Sequence, residues 1–158
     1  ASAWRPHKRL NENIKYFLEF APPGAMLAVA GKGADSERLN YRFNERIVFL
    51  GELDYMSLLS LYKRSSTFIH LAYLDHCPNV VVDAQAAGCS IICSSTGGTS
   101  EIVEKGTIVV EDQWDFKPCK LYEPPKIEFN SFKHYTMSKN RNIINCSKKY
   151  YEILKGIV

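Results

Sequence analysis

The sequence has no long apolar run and no large excess of charge of either sign. Its longest apolar stretches, such as residues 25–30, fall far short of the ~18 residues that a membrane-spanning helix needs. Lysine and arginine number 20 and aspartate and glutamate number 17, so the net charge is +3. Because this excess is far below that of a dedicated nucleic-acid-binding protein, no nucleic acid is expected as a partner.

The cysteines do not form a disulfide framework. There are five, an odd number, and none form a Cys-x-x-Cys motif. Cys89 and Cys93 flank a predicted strand, whose extended length of ~13 Å is too great for a disulfide to bridge. The sequence therefore predicts reduced thiols and a cytoplasmic location. A zinc site of His70, His76 and Cys77 would lack a second ligand pair with metal spacing, so no metal is expected.

Motifs of several enzyme classes are also missing. There is no Gly-x-Ser-x-Gly, and no serine has an obvious histidine partner, which argues against a serine nucleophile. There is no Asp-x-Asp pair for a metal-bound sugar nucleotide, so any glycosyl chemistry is expected not to depend on a metal. No cofactor is expected either. The chain opens on Ala1-Ser2-Ala3-Trp4 without an initiator methionine or a signal peptide, and we expect it to be a piece of a longer protein.

Short apolar runs alternate with segments of helical periodicity over most of the chain. Strands are predicted near residues 25–30, 47–50, 67–71, 90–93 and 107–110. Between them, apolar side chains at helical spacing predict helices, the first one stopped by Pro22-Pro23-Gly24. Because the strands lack polar alternation, we predict a parallel sheet with helices on both faces, a doubly wound α/β fold of the Rossmann-like class.

The length fits a single domain over residues 1–158. Residues 114–137 are rich in proline, lysine and aromatic side chains and are predicted to cross the surface. Residues 138–155 are predicted to form a terminal helix.

In a doubly wound sheet, ligands bind beyond the carboxyl ends of the strands, so the loops there are the candidate sites. Gly31-x-Gly33 follows the first of these strands and fits a plain tight turn. It also leaves a nicotinamide-dinucleotide site open, because Glu52 lies about 20 residues further on. The third glycine of that fingerprint is replaced by Ser36.

Basic side chains cluster just before the first helix. Arg5, His7, Lys8 and Arg9 form either a solvated basic surface or a clamp for a diphosphate. The second interpretation is chemically sound, since arginine makes bidentate and lysine point-charge contacts with phosphate oxygens.

The segment from Asp75 to Asp83 is the most informative in the chain. Pro78 suits the first turn of a helix, in which Asn79 and Asp83 share one face and point back toward the helix N-terminus. Asp75 lies in the preceding loop, so two carboxylates would border a helix N-terminus whose amides bind anions. This suits a ligand with both phosphate and sugar. Alternatively, Asp75 only makes a turn, and Asp83, on a nearly buried face, only satisfies a backbone group.

The loop after the next strand contains Gly97 and Gly98, which would let the backbone approach a ligand closely. Thr99 or Ser100 could cap a short helix that contains Glu101. The alternative is a simple capped turn.

Together, these motifs resemble the C-terminal, donor-binding domain of retaining glycosyltransferases of the GT-B type, family 4, also called glycosyl transferases group 1. The resemblance runs from Trp4 to Glu101. Its most specific part is a pair of acidic residues separated by seven positions, then an alanine, a small residue, a glycine, a strand and Gly-Gly-x-x-Glu. Here this pattern is Asp75-x7-Asp83, Ala84-Gln85-Ala86-Ala87-Gly88 and Gly97-Gly98-Thr99-Ser100-Glu101.

The resemblance implies a role for each matching position. Asp75, Lys8 and Arg5 would be the catalytic residues, with Asp75 on the donor-sugar hydroxyls and the two cations on the donor diphosphate. Asp83 would hold the ribose hydroxyls. The other donor-binding positions implied are Pro78, Asn79, Val80, Gly31, Gly33, Gly51, Glu52, Leu53, Gly97, Gly98 and Thr99.

The fold implied is one half of a GT-B enzyme. Its substrate would be a nucleoside-diphosphate sugar, from which a hexose-type sugar passes to a sugar or lipid-linked acceptor held by an N-terminal Rossmann-like domain. The chain alone would then be inactive, and peripheral membrane association of the full-length enzyme is left open. Two alternatives are half of a GT-B sugar-nucleotide epimerase and a non-catalytic nucleotide-binding module.

Overall fold

A computed structural model of the protein describes residues 1–111, 123–127 and 133–138, together with residues 152 and 155. The strands are β1 (Leu27–Ala30), β2 (Ile47–Gly51), β3 (Thr67–His70), β4 (Ser90–Ser94), β5 (Lys105–Val110) and β6 (Lys133–Ser138). A 3-10 turn, Pro6–Lys8, precedes the helices α1 (Leu10–Phe20), α2 (Asp35–Asn40), α3 (Tyr55–Lys63), α4 (Asn79–Ala86) and α5 (Thr99–Ile102).

The strands form two groups within the described residues. Strands β1 and β2 pair in parallel, and β3, β4 and β5 form a second parallel array. Helices separate consecutive parallel strands, as crossover connections require. The predicted α/β class with parallel strands is therefore confirmed.

Strand β6 was not predicted from the sequence. It pairs antiparallel with β5, from Lys105 opposite Ser138 to Val110 opposite Lys133. It takes in residues 133–137 of the predicted surface crossing and residue 138 of the predicted terminal helix, so both boundaries are corrected here. Its sequence, KHYTMS, has no apolar run, and apolar runs are the pattern from which the other strands were predicted. Most of the remaining crossing and the terminal helix lie outside the described residues, although residues 152 and 155 are helical.

Helix α1 covers β1 and β2 through its apolar face. Leu10, Ile14 and Phe17 recur at helical spacing and pack against Val29 and Ile47, with Ile14 fully buried. A second apolar cluster joins α3 and α4 to the β3–β5 array, with the side chains of Tyr62, Phe68, Val81, Ala84, Ile91, Val103 and Ile108.

Arg9 connects the start of α1 to the residue that directly follows β5. Its guanidinium is buried, with 2% of the residue exposed, and donates to both carboxylate oxygens of Glu111 at 2.6 and 2.9 Å. It also donates to the Pro125 carbonyl at 2.6 Å and lies over the Tyr73 ring, 4.9 Å from its centroid. From the sequence, Arg9 is predicted to belong to a solvated basic surface or to a phosphate clamp. Both interpretations are wrong for Arg9, because Glu111 holds it in the interior.

We expect Arg9→Met to lower the free energy of unfolding by about 3–5 kcal/mol, because it leaves the buried Glu111 carboxylate without its counter-charge. Urea unfolding measures this loss. Lys32→Met is the matched control: its ion pair with Glu52, at 3.1 Å, is 69% and 66% exposed, so we expect almost no change. Equal losses in the two variants would contradict this account of Arg9.

Candidate functional site

The candidate site lies where β3 and β4 end, beside the 3-10 turn and the N-terminus of α4. The backbone N–H of Tyr73 donates to the His7 carbonyl at 2.7 Å, which fixes the turn against the loop after β3. Lys8, the last residue of this turn, is thereby placed over the loop that carries Asp75. Two residues that are 67 positions apart in the sequence meet at this point.

Asp75 is held by two side chains at one oxygen. Its Oδ2 accepts a hydrogen bond from Lys8 Nζ and another from His70 Nε2, the latter at 2.9 Å. The Lys8 and Asp75 side chains are 19% and 14% exposed, and His70 is almost fully buried. The structure thus brings together two of the three predicted catalytic residues. The third, Arg5, is exposed at the start of the turn and is not part of this contact.

The electrostatics of this cluster favour an ionised carboxylate. The hydrogen bond from His70 and the contact with Lys8 hold the pKa of Asp75 well below its usual range, against the opposing effect of burial. Burial lowers the pKa of His70, although the nearby Asp75 charge acts in the opposite direction. Near neutral pH, His70 is therefore an uncharged imidazole that donates its Nε2–H to a charged Asp75.

The N-terminus of α4 follows Asp75 by four residues. Pro78 is buried at its N-cap, Asn79 is exposed and Val80 is half-buried. No side chain caps this end, and the amides of Asn79 and Val80 have no acceptor within the helix. An N-terminus of this kind attracts anions.

Asp83 lies one turn further along α4 and is half-buried, on a less enclosed face than the sequence suggested. Within the part of the chain that the structure describes, its carboxylate has no hydrogen-bond or ion-pair partner. Burial, together with the Asp83 charge, raises the pKa of Tyr62 on α3. The alternative in which Asp83 only satisfies a buried backbone group is therefore not found.

The loop after β4 packs directly on the backbone around Asp75. Gly97 has φ +73°, and a Cβ there would lie 2.7 Å from the Asp75 carbonyl oxygen; a Cβ at Gly98 would collide with the His76 carbonyl. The Gly98 N–H donates to the Asp75 carbonyl at 2.9 Å, and the Thr99 hydroxyl donates to it at 3.3 Å. The N-cap of α5 is Gly98, so the predicted cap by Thr99 or Ser100 is wrong.

The loop after β1 contacts the N-terminal residues of the chain. A Cβ at Gly31 would collide with the Ser2 carbonyl, and one at Gly33 would lie 2.6 Å from the Trp4 carbonyl oxygen. The glycines are explained by this close approach, and the same residues pair through backbone hydrogen bonds from Ser2 to Ala30 and from Trp4 to Lys32.

The end of β2 lies beside this loop. The Gly31 N–H donates to the Gly51 carbonyl at 2.6 Å, and Leu53 is half-buried. Glu52 forms an exposed ion pair with Lys32. Gly31, Gly33 and Glu52 are the residues that left a dinucleotide site open in the sequence, and contacts within the chain account for all three.

Sequence reasoning missed His70 as a partner of Asp75. It appeared only as a zinc ligand in a site that was not favoured. A signal was present, because His70 is a polar residue at the carboxyl end of an apolar strand, which is where ligands of doubly wound sheets bind.

The described residues contain no group of three or more histidine, cysteine, aspartate or glutamate side chains placed to hold a metal ion. None of the helices described is both long enough and apolar enough to cross a bilayer. Three of the five cysteines are described, and Cys77, Cys89 and Cys93 are free thiols.

The fold is shared with solved structures, among them the following two. Anabaena Alr3699/HepE, solved in complex with UDP-glucose, aligns with a TM-score of 0.55 and 20% identity, over 65% of this chain and 30% of that one. AviGT4, a glycosyltransferase involved in avilamycin A biosynthesis, aligns with a TM-score of 0.50 and 21% identity, over 62% of this chain and 32% of that one. The fold is therefore that of a GT-B-type domain.

Residues 2–117 match the family described as Glycosyl transferases group 1, and the chain belongs to this family. It is also similar to glycogen synthase from two strains of Mycobacterium tuberculosis, CDC 1551/Oshkosh and ATCC 25618/H37Rv, with 30% identity over 89 residues. The aligned stretch is 53% of this chain and 22% of the length of those relatives.

The lowered pKa of Asp75 predicts a dependence of stability on pH. Its contribution is fully present above about pH 4, the ordinary pKa, and is lost as the pH falls through the lower value of the folded protein. We expect the wild type to lose more free energy of unfolding between about pH 5 and pH 2 than Asp75→Asn does. Urea unfolding at several pH values measures both, and parallel pH profiles would contradict the assignment.

Proposed function

We propose that this chain is the donor-binding domain of a retaining, metal-independent glycosyltransferase of family 4. It would take a nucleoside-diphosphate sugar and provide a hexose-type sugar for transfer. The observation that carries the proposal is the contact of Lys8 with Asp75 at the carboxyl edge of the sheet, beside the N-terminal amides of α4. Asp75 and Asp83 also keep the family spacing.

The diphosphate would lie between Lys8 and the N-terminus of α4. An ammonium group has three N–H donors, so Lys8 can bind a phosphate oxygen without giving up Asp75 entirely. The amides of Asn79 and Val80 would add neutral donors and the positive end of the helix dipole. Arg5, at the exposed start of the same turn, is proposed as the second cation.

The two carboxylates would bind the two sugars of the donor. Oδ2 of Asp75 is already occupied by Lys8 and His70, which leaves Oδ1 to accept a hydroxyl of the transferred sugar. Asp83 has no partner among the described residues and would accept the ribose hydroxyls. Pro78 would shape the wall between them, and the backbone of Gly51, Glu52 and Leu53 would contact the base.

Negative charge accumulates on the diphosphate as its bond to the sugar breaks. Lys8, Arg5 and the α4 amides would meet that charge with donors that are already oriented, which lowers the barrier. The loops at Gly31–Gly33 and Gly97–Thr99 would line the remaining walls of the donor site.

The acceptor would be held by a second Rossmann-like domain. The chain covers about a third or less of the solved structures it resembles, and one of them contains UDP-glucose. UDP-glucose is accordingly the first donor to test, and a sugar or a lipid-linked sugar is the class of acceptor proposed.

We expect the chain to bind UDP and UDP-glucose, and Lys8→Ala to weaken the binding of both by about 10–100-fold while binding of uridine is unchanged. The lost contact is a charge-assisted hydrogen bond to phosphate, worth ~1.5–3 kcal/mol. Isothermal titration calorimetry measures the affinities. Lys63→Ala, an exposed lysine at the end of α3, is the control and should bind like the wild type. An equal loss for uridine and UDP would contradict a phosphate role for Lys8.

We expect residues 1–158 alone to bind the donor without transferring its sugar. The reacting atoms must be held about 3–3.5 Å apart for the rate gain of proximity, and that orientation requires the acceptor domain. Release of UDP from UDP-glucose, with and without a panel of sugar acceptors, is the measurement. Acceptor-dependent release by this chain would overturn the two-domain proposal, and formation of an epimeric sugar nucleotide would favour the epimerase alternative.

A further inference from the structure

His70 is the second side chain that contacts Asp75, the carboxylate proposed to bind the donor sugar. It ends β3, it is 4% exposed, and its Nε2 lies 2.9 Å from Asp75 Oδ2. The ring stacks on Phe68, with centroids 6.1 Å apart and an interplanar angle of 14°. A buried polar side chain in this position is expensive to keep unless its hydrogen bond is used.

The two donors to Asp75 differ in how firmly they are held. The backbone of His70 is paired with Cys93 of β4, and its ring is enclosed by the core, so its Nε2–H points in one direction. Lys8 has a flexible stem of four methylenes and ends a short turn, so its ammonium group can follow a phosphate oxygen. When Lys8 turns toward a diphosphate, His70 is the donor that keeps Asp75 in place.

We propose that His70 is a positioning residue for Asp75. It keeps the carboxylate ionised and aligned, so that Oδ1, which has no hydrogen-bond partner among the described residues, meets a hydroxyl of the donor sugar. His70 would thereby set how strongly the site prefers a nucleoside-diphosphate sugar to the bare nucleoside diphosphate. The choice of ligand rests on the proposed function, whereas the contact with Asp75 does not.

The first experiment compares the affinities for UDP-glucose and UDP by calorimetry. His70→Phe keeps the ring and removes the donor, and we expect the UDP-glucose preference to fall about tenfold, close to that of Asp75→Asn. His70→Gln should stay within about twofold of the wild type, because its amide nitrogen reaches the position of Nε2. UDP affinity should stay within about twofold throughout, since Asp75 is not its ligand.

Two further variants separate positioning from stability. Ile91→Val removes a methyl group from the core of β4 and should lower the melting temperature without changing the UDP-glucose preference. His70→Asn is shorter and does not reach Asp75, so it should match His70→Phe and replaces that variant if the phenylalanine prevents folding.

The second experiment needs no ligand. The carboxyl carbon of Asp75 is followed by NMR as the pH is lowered, and the titration midpoint should rise by about 1 pH unit in His70→Phe but not in His70→Gln. Among the described residues, the other titratable groups that face this pair are Lys8 and the N-terminal amine, with His7 and Arg5 beside Lys8. They are unchanged in every variant.

An unchanged midpoint or an unchanged preference in His70→Phe would overturn the proposal, which requires both to move. If the wild type binds neither UDP nor UDP-glucose, the proposed function fails. The titration then decides the positioning role alone, since a raised midpoint supports it and an unchanged one overturns it.

Discussion

The buried ion pair between Arg9 and Glu111 is the contact on which the geometry of the site depends. Arg9 follows Lys8 directly and has φ 51°, a left-handed conformation that costs an L residue about 1–2 kcal/mol. The bidentate contact with Glu111, which also accepts from Ser94, offsets that cost. Because Glu111 follows β5 and Ser94 ends β4, the start of α1 is fixed to the carboxyl edge of the sheet, and Lys8 stays beside Asp75.

This arrangement separates the tasks of two adjacent basic residues. The planar guanidinium of Arg9 serves the fold: among the described residues it contacts Glu111, backbone carbonyls and the Tyr73 ring. The ammonium group of Lys8 remains near the surface. Exchanging the two side chains would place an ammonium in the interior, without the planar fork that donates in parallel to both oxygens of Glu111, and would leave a longer side chain beside Asp75.

The parts of the fold that follow from local pattern could be predicted, and the parts that depend on distant pairing could not. Strand β2 and helix α1 could be predicted because the apolar pattern that identifies each lies within a few residues. Arg9 and Glu111 are 102 positions apart, and nothing near either one identifies the other. Strand β6 could not be predicted for the same reason. Its only described partner is β5, and its own residues carry no apolar run.

The candidate site, too, could be predicted only in part. The acidic spacing of Asp75 and Asp83 is readable in the sequence, but their different surroundings are not: one carboxylate has two donors and the other has none in the described residues. That difference has a consequence for binding. A carboxylate whose donors are already in place pays little to become ordered, so it can discriminate between hydroxyl arrangements, whereas a free carboxylate must be ordered by its ligand. If both bind hydroxyls as proposed, Asp75 is the better suited to read the identity of a sugar, and Asp83 to hold a ribose that is common to every nucleotide.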